Sequence, residues 1–538
     1  MRNTKQDSGT GLLNPQTALV FMVALAVLGF VSWWPVHHNY VSELAIDRWS
    51  KVISSFAGEI FRIDDVRLLY PHLLNLPLVF LYSTSGAIKF AAPYLVSCAF
   101  GAGLLAIWNH HLLEKNYELR HRILLLVLVA MHPYFLWGVT GGLLGGMSLL
   151  MFYLLYLASV RLIKEADARS FIMLGVVFGV YFFIDERALF LFVAFMPLLP
   201  MVAPRNMLDA SPLSVYLIVA MPLLLSITAW VVYLSFVLDE GAWHYMSSPG
   251  ESFRGAWHEV SQIDWLRDFG GTFIAAMAAS FAAGIVSYPV VGWLVWRARR
   301  HVKLLRDVEA LLVHLSAAAA LATTTFFLAH PADMLYLSAA GVMAAIVLLP
   351  REIGNYRRGL YLMLVVSAVG GWYSLAWKEN AEIHRWTTAM RGEMLPAYYP
   401  EDVALGKWLD EHRMPTMMDE HAAFRALVAR GDADGMLLSF TQDFQKMLQK
   451  DVPTVEQVVL RDPQYMNFDR VVYGRELFAG RLPDGVSQRY QGMYYGGMAG
   501  YHLVYDHEHW RVYRRDDVSP VDQMESFSLT QAEAPIIR

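Results

Sequence analysis

Charge is scarce in this chain. Asp, Glu, Lys and Arg make up only 17% of its 538 residues, and 56% are hydrophobic. A soluble globular protein carries about a quarter charged residues. That shortfall excludes an ordinary soluble enzyme and predicts an integral membrane protein. Cysteine is nearly absent: Cys98 stands alone in an apolar run, so no internal disulfide can form. Net positive charge is missing too. A balance of −5 leaves no basic field for nucleic acid, and no nucleic-acid partner is expected. There is no phosphate-loop, Rossmann or zinc signature and no internal repeat. The first apolar run, Ala18 to Trp34, follows Arg2 and Lys5 but lacks a small-residue cleavage site. It therefore reads as a membrane anchor rather than a removable signal. What the chain has in abundance is aromatic residues. Its 16 Trp and 27 Tyr suit many membrane–water boundaries.

Apolar runs of spanning length fall near 17–35, 90–109, 123–138, 142–160, 170–184, 188–204, 213–237, 271–296, 308–329, 333–350 and 358–377. On a ~20-residue criterion this predicts about eleven spans. Tyr70–Tyr82 is also apolar, but it is short and interrupted by Pro71 and Pro77. It reads as a juxtamembrane or re-entrant piece. Basic clusters at Lys115/Arg120/Arg122, Arg161/Lys164/Arg169, Arg297–Arg306 and Arg351/Arg357/Arg358 alternate with turns that lack Lys and Arg. By the positive-inside rule the N-terminus is cytoplasmic, and an odd number of spans puts the C-terminus outside.

Three polar regions then face outward. The loop 35–67 contains Val41–Ile60, which reads as an amphipathic helix on the membrane surface. The loop 238–270 is rich in Trp and His, including Trp243, His244, Trp257, His258 and Trp265. Residues 380–538 form a separate soluble α/β domain. Within it Val403–His412 predicts a helix, Gly435–Phe440 a buried strand, and Thr441–Lys450 a helix capped by Thr441. Tyr501–Arg515 alternates around Asp506–His509 and predicts a β-hairpin. The last ~20 residues lack periodicity. The fold class is thus an α-helical multi-pass membrane domain over 1–379 followed by an extracytoplasmic α/β domain.

Asp64-Asp65, in the stretch Phe61-Arg62-Ile63-Asp64-Asp65-Val66-Arg67, carries the strongest chemical signal. A carboxylate at the outer mouth of a membrane protein can take a proton from an attacking hydroxyl, while a second orients the acceptor or holds a metal. The structural alternative is a solvated helix end with Arg62 and Arg67 as surface ion pairs. In Asp185-Glu186-Arg187, Arg187 can grip a phosphate with its bidentate fork, or the triplet can be a polar hairpin turn. His132-Pro133-Tyr134 and His330-Pro331 sit at outer ends of spans. Either His can donate to a lipid phosphate, although the Pro more plainly marks a helix end. His330 lies near Asp333 and Tyr336. Gly138, Gly141, Gly142, Gly145 and Gly146 suit close helix packing, or close approach of a ligand to the backbone.

This layout resembles the GT-C superfamily of polyprenyl-phosphate-sugar-dependent glycosyltransferases, which includes protein mannosyltransferases and aminoarabinose transferases. The likeness runs over about residues 15–377. One span leads to a long outer loop ending in an acidic pair, here Asp64-Asp65. A proline-bearing apolar segment follows, here Tyr70-Pro71-His72-Leu73-Leu74. A later hairpin carries a basic residue, here Arg187, and a short late turn holds His330-Pro331 and Tyr336. The resemblance implies a sugar transfer on the outer face of a bacterial inner membrane, with the C-terminal domain periplasmic. The donor would be a polyprenyl-phosphate-linked sugar in a cavity between spans, and the acceptor an envelope glycan, lipid or protein. Asp64 and Asp65 would supply the general base. Arg187, Arg62, Arg67 and His330 would hold the donor phosphate. His72, Tyr336 and Asp185 would line the cavity. No cofactor is required, and a divalent cation is compatible with the acidic pair.

The chain departs from the family in two places. Asp64-Asp65 stands where Asp-Glu is usual, and no Arg occurs between Phe326 and Tyr336. Either Arg187, Arg62 or Arg67 compensates for that Arg, or catalysis is lost. A non-catalytic subunit that binds a partner or polysaccharide through its outer domain is therefore the competing expectation. A transporter ranks lower, because charges cluster at span ends rather than mid-span. A polymer ligase also ranks lower, because the largest outer region is the tail.

Overall fold

The computed structural model describes residues 14–56, 72–84, 91–142, 145–165, 167–185, 188–196, 199–202, 211–233, 286–301, 337–348, 357–376, 381–439, 441–462 and 484–517. These are mostly helical, with one small sheet near the C-terminus. Helix α1 (Pro15–His37) opens on Asn14, whose side chain accepts from the Gln16 amide, with Pro15 at the first helical position. Leu19, Met22, Val23, Val27 and Phe30 on it are all more than half exposed, an apolar surface suited to lipid. Helix α2 (Glu43–Ser54) is capped by Ser42 and buries Ala45, Ile46, Trp49, Val52 and Ile53. Its spacing is that of an amphipathic helix, as the sequence predicts for this loop. Helix α3 (His72–Thr84) has 13 residues, too few to cross a bilayer.

Helices α4 (Ala92–Glu114), α5 (Leu119–Ala130), α6 (Pro133–Thr140), α7 (Gly145–Glu165) and α8 (Ala168–Phe182) follow. Then come α9 (Ala188–Phe195), α10 (Leu199–Val202), α11 (Pro212–Val232), α12 (Pro289–His301), α13 (Ser338–Leu348) and α14 (Arg357–Ala376). Among the described residues four helices are long and apolar enough to span a membrane, α1, α4, α7 and α11. The count becomes five if α5 and α6 form one broken span.

The run expected as one straight span at 123–138 is therefore two helices, bent by 77°. Pro133 explains the break. Proline has no N–H to donate and forces the residue before it out of the helical region, and His132 is extended at φ −66°, ψ 125°. The run at 170–184 is a helix of 15 residues, and the described part of 333–350 is one of 11.

Contacts fix the sense of α1, α4, α5–α6 and α14. Arg122 donates to Gln16 at one end of α1, and Ser32 donates to the Thr140 carbonyl near the other, so α1 runs parallel to α5–α6. Tyr361 pairs with His121 and Ser374 with Tyr134, which sets α14 in the same direction. Helix α4 runs the other way, from the Ser42–Tyr94 contact to Asn109 beside Arg122. Lys115, Arg120, Arg122, Arg357 and Arg358 consequently share the end at which α1 begins. The glycines act in packing. A Cβ on Gly146 would lie 2.8 Å from the Gly101 nitrogen, and one on Gly175 would lie 2.5 Å from the Val219 carbonyl.

The opposite end of the bundle carries α2 and the C-terminal region. Here α15 (Ala381–Met390), α16 (Pro400–Glu411), β1 (Thr416–Met418), α17 (Glu420–Arg430), β2 (Met436–Leu438) and α18 (Gln442–Leu448) lead to β3 (Gln457–Arg461). Short α19 (Gly485–Arg489) and α20 (Gln491–Gly496) precede β4 (Tyr501–His507) and β5 (Trp510–Arg515). The sheet order is β2-β1-β3-β5-β4. The first three strands are parallel, and β5 and β4 are antiparallel. The predicted elements at 403–412, 435–440, 441–450 and 501–515 all occur, and Thr441 caps α18 by accepting from the Phe444 amide. The final residues, 518–538, lie outside the described residues.

At the carboxyl ends of the parallel strands two acids are buried together. Asp419 follows β1 and accepts from the Gly485 amide at 2.7 Å. Asp484 caps α19 by accepting from the Ser487 amide at 3.0 Å and hydroxyl at 2.5 Å. Burial, and then the Asp419 carboxylate, push the Asp484 carboxyl up to about 7, against the opposing pull of the Ser487 hydrogen bonds and, more weakly, Arg461. The folded state therefore holds a proton that the unfolded chain releases above the usual aspartate range near 4. This contribution to stability is present below about pH 4 and lost as pH rises through about 7. Asp484→Asn keeps the cap and removes the titration. In urea unfolding of the full chain, the gap between variant and wild type should widen in the variant's favour from pH 4 to 7. A constant gap over that range would contradict the assignment.

Candidate functional site

Of the residues the family resemblance assigns to the site, Asp185 is the one whose side chain is described. It follows α8 and is 9% exposed, and it accepts from the Ser148 hydroxyl at 3.0 Å, one turn into α7. Its amide donates to the Tyr181 carbonyl at 2.8 Å. His72 is the first residue of α3. The Leu73 amide donates to the Phe183 carbonyl at 2.9 Å. That single backbone bond joins the start of α3 to the turn that ends α8, so His72 and Asp185 come from two segments brought to one place. Asp64, Asp65, Arg62 and Arg67 fall in 57–71, Arg187 in 186–187, and His330 and Tyr336 in 302–336, all outside the described residues.

The described flanks still define a setting. Gly146, two residues before Ser148, packs against Gly101, nine residues into α4. At 1.5 Å per residue the turn is recessed by about 13 Å from the start of α4. From there α3 leads to Tyr82, whose ring lies 4.9 Å from Phe56 and 5.6 Å from Trp49 of α2. Burial, with the Asp432 and Asp434 carboxylates, pushes Tyr82 up to about 12. The far end of α3 thus packs against α2. Among the described residues no group of three or more His, Cys, Asp or Glu is placed to hold a metal ion.

Above this recess the C-terminal region is fixed to α2 by a buried charge network that sequence spacing does not announce. Arg425 of α17 pairs with Glu43 of α2 at 3.1 Å and with Asp402 of α16 at 3.0 Å. Its guanidinium lies 3.5 Å from the centre of the Tyr399 ring. Asp402 also accepts from the Trp510 indole of β5 at 2.6 Å. Burial raises the Asp402 carboxyl, with Arg425 the strongest opposing influence. A second link runs from α15. Glu382 accepts from the Ser42 hydroxyl at 2.6 Å and the Tyr40 hydroxyl at 3.3 Å, and burial followed by the Glu382 charge drives the Tyr40 phenol well upward. Leu395 exchanges bonds with the turn after α1, its amide donating to the His38 carbonyl and its carbonyl accepting from Asn39. The one signal available in the sequence was Arg425 itself, a guanidinium in the apolar stretch Ala422-Ala423-Phe424-Arg425-Ala426-Leu427. An arginine so placed needs a buried counter-ion.

His132 takes a structural part. It is buried, its ring stacks on Tyr288 at 3.9 Å, and its Nε2 bonds the Ser287 carbonyl at 2.8 Å. Compared with protein-family models and with curated proteins, the chain matches none.

Proposed function

We propose that this chain is a GT-C-like membrane glycosyltransferase that moves a sugar from a polyprenyl-phosphate carrier to an envelope glycan, lipid or protein. The observation that carries the reading is the Leu73–Phe183 backbone bond, which brings the α3 start and the Asp185 turn together in a recess. Those are the flanks of the two segments nominated for the base and the phosphate site. Asp64 and Asp65 precede His72 by eight and seven residues, and Arg187 follows Asp185 by two. In this reading Asp64 or Asp65 takes the acceptor proton, and Arg187, with Arg62, Arg67 or His330, holds the carrier phosphate. Tyr336 lines the same cavity. A divalent cation on the acidic pair is compatible with the scheme.

The proposal includes about eleven spans, a membrane domain over 1–379 and an extracytoplasmic domain over 380–538. The gathering of basic residues at the end where α1 begins supports placing that end in the cytoplasm. The C-terminal domain, at the other end, would then be periplasmic. The network tying α2 to α16 and α17 also favours a second reading, a non-catalytic subunit whose rigidly held domain binds a partner or polysaccharide.

Reconstituted protein incubated with a panel of polyprenyl-phosphate sugars and envelope extract separates the two readings. The transferase should release free polyprenyl phosphate from at least one carrier. Arg187→Lys should raise the carrier KM, because Lys lacks the planar fork that grips a phosphate. Protein that binds an envelope glycan or partner but turns over no carrier would support the second reading.

A further inference from the structure

At the end of the bundle where α1 begins, most basic side chains are open to their surroundings, but Arg122 is only 4% exposed. One Nη donates to the Asn109 side-chain carbonyl at 3.2 Å, and the other to that of Gln16 at 3.4 Å. Both acceptors are neutral amides. Among the described residues no carboxylate pairs with this guanidinium. The acids nearest in sequence are engaged elsewhere, Glu114 with His110 at 3.4 Å and Glu118 with His121 at 3.7 Å. Arg122 Nε and Asn109 Nδ2 are both buried and have no hydrogen-bond partner among the described residues.

A guanidinium offers five donors and keeps its charge, so neutral partners leave it uncompensated. An anion that accepts several hydrogen bonds at once would compensate that charge. A tetrahedral oxyanion does so, and an arginine fork matches its edge. Leu119 and Ile123, beside Arg122 on α5, are 54% and 48% exposed, which leaves apolar surface next to the charge for acyl chains. We propose that Arg122 and Asn109 form a phosphate-binding site at the rim between α1, α4 and α5. Its occupant is the headgroup phosphate of a membrane lipid or free phosphate. The site is at the opposite end of the bundle from the recess beside Asp185, and it stands whether or not the chain is a transferase.

The test uses the full chain in a maltoside detergent and phosphate-free buffer. Thermal midpoint and native mass spectrometry are read against phosphatidylglycerol, a galactosyl diacylglycerol and inorganic phosphate. Phosphatidylglycerol or inorganic phosphate should raise the wild-type midpoint, and Arg122→Gln should weaken that binding at least about tenfold. Asn109→Asp gives Arg122 a carboxylate within the bundle. That variant should fold at least as well as wild type and lose the response to both phosphates. It decides the matter if Arg122→Gln does not fold. A response to the phospholipid alone supports the site with a headgroup occupant, and an equal response to inorganic phosphate supports it with the free anion. Galactolipid bound as tightly as phospholipid, or Asn109→Asp responding like wild type, overturns the site.

Discussion

Arg425→Met is expected to loosen the C-terminal region from the helical bundle. The Arg425 side chain is 1% exposed, and its partners Glu43 and Asp402 are 19% and 2% exposed. Methionine fills part of the volume but leaves the buried Asp402 carboxylate, and the partly solvated Glu43, without the guanidinium. Removing one member of a buried ion pair costs about 3–5 kcal/mol, most of it from the charges left behind. Tyr399 would also lose the cation seated over its ring. The defect should shrink as pH falls. Burial already raises the Asp402 carboxyl against the pull of Arg425, and without Arg425 it rises further and takes up a proton. Glu43→Gln should cost less, because Glu43 is partly solvated and the amide still accepts from the guanidinium. Urea unfolding followed by tryptophan fluorescence, with protease sensitivity as a second readout, measures both variants. Arg425→Met within about 0.5 kcal/mol of wild type would show that the network contributes little.

The second large effect concerns the acidic pair. If the transferase reading holds, Asp64→Asn or Asp65→Asn should lower the transfer rate about 10²–10⁴-fold, the range over which a positioned general base acts. Asparagine preserves size and hydrogen bonding but cannot take up the acceptor proton at neutral pH. Expression and thermal midpoint should stay near wild type, since the change removes charge without opening a cavity. The two substitutions need not be equal, because one carboxylate can act as base while the other orients the acceptor. The assay is carrier consumption by purified variants at saturating donor, with donor binding measured separately. Full turnover by both single variants would remove the pair from catalysis and leave the non-catalytic reading ahead.

Much of the local structure was legible because it is decided by neighbours in sequence. Thr441 marks the start of α18. The alternation at 501–515 gives the hairpin, and the apolar stripe of α2 follows from its spacing, although Asp47, Ser50 and Ser54 on its polar side are buried as well. The bend at His132 was legible in principle, since Pro133 removes a donor and restricts the residue before it. The apolar run continues through it, however, and a length criterion passes over such a break.

The sheet order and the Arg425 network could not be read in this way. Strand β1 lies between β2 and β3, although chain order puts it first. Glu43 and Arg425 are 382 residues apart. No periodicity reports which of many carboxylates a distant arginine meets. The candidate site was legible in part. The sequence nominated Asp185 and His72, and their segments meet through the Leu73–Phe183 bond. Asp185's partner, Ser148, gave no signal, because a serine inside an apolar helix is common.

The same separation in sequence has a meaning in time. At roughly 5–20 residues per second, the ribosome delivers Arg425 about 20–80 s after Glu43. Throughout that interval α2 stands without Arg425 and without the later helices that cover it. A later-made part of the chain closes over an earlier one, so a product interrupted before α17 would present an open α2. Such a product offers a natural mark by which quality control could tell finished chains from unfinished ones.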